Sequence, residues 1–166
     1  MSSSGKTQVS RDLNEKTIYV VRTFNAPVAK VWRAYTESEL LDQWWGPQPW
    51  YAKTKHMDFS EGGHWLYAMI GPDGTTHWAR MNYKTIVPKI RIEGEDAFCD
   101  ENGVINSQFP INQWINTFTP NADGTRVEHK LIFESIEGMQ AIIDMGFEEG
   151  MSMGLEQLEA LLPKID

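Results

Sequence analysis

Three groups of residues in this sequence could do chemistry: a serine set between glycines, four histidines, and a large aromatic set. Gly150-Met151-Ser152-Met153-Gly154 reads literally as G-x-S-x-G, the turn that presents a nucleophilic serine in α/β-hydrolases. Such a turn needs a strand before the serine, a helix after it, and a histidine further along the chain to take the proton. Here Gly146-Phe147-Glu148-Glu149 carries a helical period into the motif, and the last histidine is His129. A hydrolase of that kind is excluded, and no catalytic residue is assigned.

His56, His64, His77 and His129 show none of the short spacings that make side chains converge on a metal. No metal and no cofactor is therefore expected. His56 and Asp58 share a strand face by parity, and His64 is placed to meet His77 across a hairpin. His129 falls in phase with Val127, Leu131 and Phe133, so it should point to the apolar side. There it serves either as a buried imidazole with a hydrogen-bond partner or as a polar contact or base in a cavity. Asp58 and Glu93 are further candidates for polar contacts. Cys99 lies beside Asp96, Asp100 and Glu101, an acidic setting that favours an inert thiol.

Trp44, Trp45, Trp50, Trp65, Tyr67, Trp78, Tyr83 and Trp114 can fill a core, or they can line a pocket for an organic ligand. Trp65, Tyr67, Met69, Met81, Tyr83 and His129 from a sheet, with Phe147, Met151 and Leu155 from a helix, are the expected cavity lining. Trp44 and Trp45, next to the Gly46-Pro47 break, are the expected cavity mouth.

These side chains need elements to position them. Thr17 to Phe24 is rich in β-branched and aromatic residues and reads as a strand. Val28, Val31, Trp32 and Tyr35 then share a helical face. A second short helix follows, with Thr36 and Glu39 at capping-box spacing and Leu40, Leu41, Trp44 and Trp45 as its apolar side. From about residue 52 to 133 the pattern has period two, punctuated by Gly62-Gly63, Pro72-Asp73-Gly74, Asn102-Gly103 and Asp123-Gly124, as in an antiparallel meander. A helical turn around Met139 to Met145 comes next. Phe147, Met151, Leu155, Leu158 and Leu162 then form the stripe of a long amphipathic helix ending at Pro163.

That order predicts an α+β fold in which the last helix lies across the apolar face of a curved antiparallel sheet of about six to seven strands, with two short helices after the first strand. Residues 1 to 16 are polar and aperiodic and read as a loose leader, and 17 to 163 as one domain. Gly146, Gly150 and Gly154 recur every four residues along the last helix. Helical glycine is unfavourable by about 1 kcal/mol relative to alanine, so the stripe either makes room for a ligand or lets the helix pack closely on aromatic rings.

A chain of 166 residues with 41% hydrophobic and 11% aromatic residues builds one sizeable core. A formal charge of −8 works against a nucleic-acid partner. With one cysteine, no secretory signal and no apolar run long enough for a membrane, a cytoplasmic setting is expected.

Phe24-Asn25-Ala26-Pro27, Val31-Trp32-Arg33-Ala34, Trp44-Trp45-Gly46-Pro47, Asp58 with Gly62-Gly63, Pro72-Asp73-Gly74, and Gly146-Phe147 with Leu155, Leu158 and Leu162 together resemble the activator-of-heat-shock-ATPase homology family. That family lies within the START-like, or SRPBCC, superfamily of helix-grip proteins. The likeness runs over roughly residues 17 to 162, with Ser60 standing where relatives often carry arginine. It implies a helix-grip fold with a deep cavity. For function it implies a binder of a small apolar or aromatic molecule, a domain acting on a heat-shock chaperone, or a cyclase-like enzyme; in the last case His129 and an acid are the residues here that could assist proton transfer. A homodimer stays open.

Overall fold

The computed structural model describes residues 6–166. β1 (Gln8–Asp12) and β2 (Thr17–Phe24) lead into α1 (Val28–Thr36) and α2 (Ser38–Trp44). Six strands follow: β3 (Tyr51–Met57), β4 (His64–Ile70), β5 (Thr76–Val87), β6 (Arg91–Cys99), β7 (Asn112–Asn121) and β8 (Gly124–Phe133). The chain closes with α3 (Ile136–Asp144), α4 (Phe147–Leu161) and a 3-10 turn over Leu162–Lys164. All strand pairs are antiparallel, in the order β1-β2-β8-β7-β6-β5-β4-β3. This is the α+β arrangement the pattern predicts and is consistent with the helix-grip fold the resemblance implies.

The leader is corrected. Gln8–Asp12 pairs with β2, which makes eight strands rather than six or seven and puts the short helices after the second strand. An edge strand with one partner needs no apolar alternation, and β1 has none. Arg11 also reaches α4, where its guanidinium donates to both Glu148 oxygens at 2.6 and 2.7 Å. Residues 1–5 of the expected leader lie outside the described residues. At the other end Ile165 is 6% exposed, so the domain runs past 163.

Parity along the strands fixes the inner face. Trp65 and Tyr67 of β4, Met81 and Tyr83 of β5, Ile92 of β6, Trp114 and Phe118 of β7, Val127 and Leu131 of β8, and Ile18 and Val20 of β2 are all buried. Two register shifts interrupt the ladders, between Thr54 and His56 in β3 and between Tyr83 and Thr85 in β5, and such irregularities bend and twist a strand. Gly94 lies opposite the second, where a side chain would collide with the Asn82 carbonyl oxygen. Only glycine allows that approach.

The capping box does not form. Thr36 Oγ1 donates to the Trp32 carbonyl, ending α1, and Glu37 takes the N-cap position of α2 without a side-chain bond. The four-residue back-bond to its own helix wins over the cap of the next. α3 has a true cap, since Ser135 Oγ accepts from the Gly138 N–H at 2.9 Å. Gly146, at φ +85°, turns the chain from α3 into α4, a left-handed position that glycine takes without strain.

Candidate functional site

Between the sheet and the N-terminal half of α4 lies a cavity of about 670 Å³. β4 contributes Tyr67 and Met69, β5 contributes Trp78 and Ala79, β6 contributes Asp96, Phe98 and Cys99, and β7 and β8 contribute Asn112, Trp114 and Leu131. α4 adds Phe147, Gly150, Met151 and Gly154, and the turn after α2 adds Trp44, Trp45, Pro47 and Trp50. A second void of about 30 Å³, room for a water or so, sits deeper among Tyr35, Leu41, Trp65, Met81, Tyr83, Ile92 and Asn116. Tyr67, Trp45, Trp114 and Asp96 belong to both walls.

Of the residues expected to line the cavity, Tyr67, Met69, Phe147 and Met151 do so. Trp65, Met81 and Tyr83 face only the small void. Leu155 reaches neither: its neighbour Gly154 lines the cavity, but its own side chain lies in the solid part of the core at 0% exposure. The mouth also moves. Trp44 is 1% exposed and belongs to the inner wall with Trp45, while exposed Thr76, His77, Asn106, Phe109 and Met145 form the rim. Gln157 of α4 holds the tryptophan turn in place, donating to the Trp44 and Gly46 carbonyls at 3.0 and 2.8 Å and accepting from the Gln48 N–H.

His129 is also corrected out of the lining. It is 1% exposed, reaches neither cavity, and has both ring nitrogens engaged. Nδ1 lies 2.8 Å from Asn116 Oδ1 and Nε2 3.0 Å from the Tyr35 hydroxyl. A neutral ring that donates from Nδ1 and accepts at Nε2 satisfies both partners. Burial pushes its pKa down to about 3, so it is not placed to serve as a base for a ligand.

Sequence reasoning missed Asp96. It shares the inner parity of β6 with Ile92 and Phe98, across from Met81 on β5 and Asn112 on β7. Extending the Ile90–Ile92 alternation by two steps would have found it. The residue is half-buried and lines the cavity, and burial raises its pKa to about 7. Burial, together with the Asp96 charge, holds the Tyr67 hydroxyl well above its ordinary value; that hydroxyl accepts from Trp45 Nε1 at 3.0 Å. Burial also raises the Cys99 thiol, which stays protonated at neutral pH. The indole N–H of Trp114 has no partner among the described residues.

The remaining motifs resolve simply. The G-x-S-x-G run lies inside α4. His64 meets His56, with ring centroids 4.9 Å apart, rather than His77, which stacks on Trp50 at 5.7 Å. β3 pairs with β4, which brings the first two together. Added Cβ atoms at Gly150 and Gly154 would stand 3.5 Å from Pro47 Cγ and from the Trp44 carbonyl oxygen, so the stripe packs on the tryptophan turn rather than on sheet rings. It lines the cavity as well. Because 3.5 Å is ordinary contact, Gly150→Ala should raise stability by about 0.5–1 kcal/mol through helix propensity. A lowered melting temperature would show that Pro47 cannot accommodate the methyl group.

Residues 25–163 match the family model described as Activator of Hsp90 ATPase homolog 1-like protein. Among solved structures, a protein from Arthrobacter aurescens is 33% identical, with TM-score 0.89 over 95% of this chain and 92% of that one. Protein Ms6760 from Mycobacterium smegmatis is 32% identical, with TM-score 0.87 over 94% and 96%. A Staphylococcus epidermidis protein is 30% identical, with TM-score 0.82 over 95% of each chain. No curated protein matches.

Proposed function

Since the chain belongs to the Activator of Hsp90 ATPase homolog 1-like family, we propose that it acts as a receptor for a small hydrophobic or aromatic molecule held between the sheet and α4. The observation that carries this reading is the cavity of about 670 Å³ walled by tryptophan, phenylalanine and methionine with a few polar atoms, which is the usual make-up of an organic-ligand site. Close-packed interiors keep few voids larger than a water, so a space of this size among otherwise packed aromatics suits an occupant. The occupant gains mainly by burying apolar surface against these rings.

Displacement of an environment-sensitive dye by a panel of lipids and aromatic compounds tests the reading. Gly150→Leu is expected to cut dye affinity at least tenfold, because Gly150 and the Pro47 ring its Cβ would face both line the cavity, and a leucine there takes up or displaces that part of the wall. Dye binding that is absent in the parent, or unchanged in the variant, would count against the receptor.

The family's description favours a second reading, stimulation of a heat-shock chaperone ATPase through the protein's exterior. Glu149 and Glu156 are exposed on α4 and suit a basic partner surface. Chaperone ATPase assays separate the two, since Gly150→Leu would spare stimulation while removing dye binding.

A further inference from the structure

Asp96 is the one carboxylate in the walls of the two voids, and those walls contain no lysine or arginine. Among the described residues its side chain makes no hydrogen bond and no ion pair. An ionised carboxylate in apolar surroundings is strongly disfavoured unless a donor or a cation meets it. Trp45 and Trp114 stand in the larger wall with it, and the face of an indole attracts positive charge; Trp78, also in that wall, already has the Lys55 ammonium 5.6 Å from its ring centre.

Resting on the receptor reading, we propose that the occupant carries a protonated amine, whose N–H groups donate to the Asp96 carboxylate while its apolar body lies among Trp78, Phe98, Trp114 and Phe147. A carboxylate or phosphate ligand could accept from the Trp114 N–H but would face the Asp96 charge with no lysine or arginine to offset it. A neutral ligand would leave Asp96 unpaired whenever it ionises. The formal charge of −8 draws cations toward the mouth.

The groups facing Asp96 do not supply a counter-charge. Tyr67 of β4 and Tyr83 of β5 are held protonated by burial, as is Cys99 on β6 itself. Asn112 of β7 is neutral, and Phe147, Gly150 and Met151 of α4 do not titrate. His77 of β5 stands at the rim. The burial that raises Asp96 to about 7 makes amine binding depend on pH, because only the ionised carboxylate pairs with the cation.

The test titrates the full chain with 1-naphthylmethylamine, 1-naphthalenemethanol and 1-naphthoate from pH 5.5 to 8. At pH 8 the amine should bind at least tenfold more tightly than the alcohol, with the naphthoate weakest. Below about pH 7 the amine's affinity should fall toward tenfold per unit while the alcohol's stays level. Asp96→Asn, close in shape and with His77 intact, should abolish both the amine preference and its pH dependence. Equal binding of amine and alcohol by the parent, or a preference that survives in Asp96→Asn, overturns the amine assignment and leaves the receptor standing. Failure of all three probes to bind at any pH overturns both. The parent's own pH profile decides the matter should the variant fold poorly.

Discussion

A protein carrying His129→Leu is expected to be about 2–4 kcal/mol less stable than the parent at pH 7.5, and to lose one component of the parent's sensitivity to acid. The first effect follows from burial. Tyr35 and Asn116 are 6% and 8% exposed and bond to the two ring nitrogens, so leucine strands two buried polar groups at about 1–3 kcal/mol each. The second follows from linkage. The folded protein holds the imidazole near 3, whereas the unfolded chain titrates it at about 6.5. As pH falls below about 6.5 the unfolded state binds the proton first, and stability drops by about 1.4 kcal/mol per unit until the folded state also protonates near 3. Chemical denaturation at a series of pH values reads both effects. An acid limb of unchanged slope in the variant would mean that His129 is not the group responsible.

Asp96→Asn should shift stability in the opposite direction, adding about 1–3 kcal/mol at pH 8 and almost nothing at pH 4. This carboxyl titrates higher folded, at about 7, than unfolded, at about 3.9. Its contribution is therefore intact below the unfolded value and declines as pH rises through the folded one, with a limiting slope of about 1.4 kcal/mol per unit. The gain stays below that limit because the carboxyl meets the cavity and any water in it. Between about pH 4 and 6.5 the slopes from Asp96 and His129 have opposite signs and offset each other. The parent should look flatter there than either variant. An Asp96→Asn protein no more stable than the parent at pH 8 would show that the carboxylate is already compensated. A rise would mark it as a group that costs stability where it is placed, as functional groups commonly do.

The alternation of Trp65, Tyr67 and Met69 with the glycine-marked turns was enough to read most of the sheet, and the stripe from Phe147 to Leu162 was enough to read the closing helix. β1 escaped because a one-sided edge strand leaves no hydrophobic period to detect. Tyr67, Met69, Phe147 and Met151 were readable as lining because inward parity and helical phase point to the same space. Leu155 shares that phase and still misses the cavity, although its neighbour Gly154 lines it, since phase fixes direction and not whether packed side chains already fill the space there. The rim was not readable. Phe109 sits on the loop between β6 and β7 and Met145 follows α3, and only long-range packing brings them to one opening. Asp96 was within reach of the period, which places it in phase with Ile92 and Phe98, but it entered only as part of the acidic setting of Cys99.

The two borders of the sheet bear on how copies of this molecule behave at high concentration. Rows of free backbone N–H and C=O groups invite another chain to add itself and propagate a fibre. β3 carries Lys53 and Lys55 and a register shift between Thr54 and His56, and β1 is five residues long with Arg11 engaged by Glu148. Like charge, a break in the repeat and a short reach each make such a border a poor template, so the wide apolar concavity is carried on a sheet that resists growing by its sides.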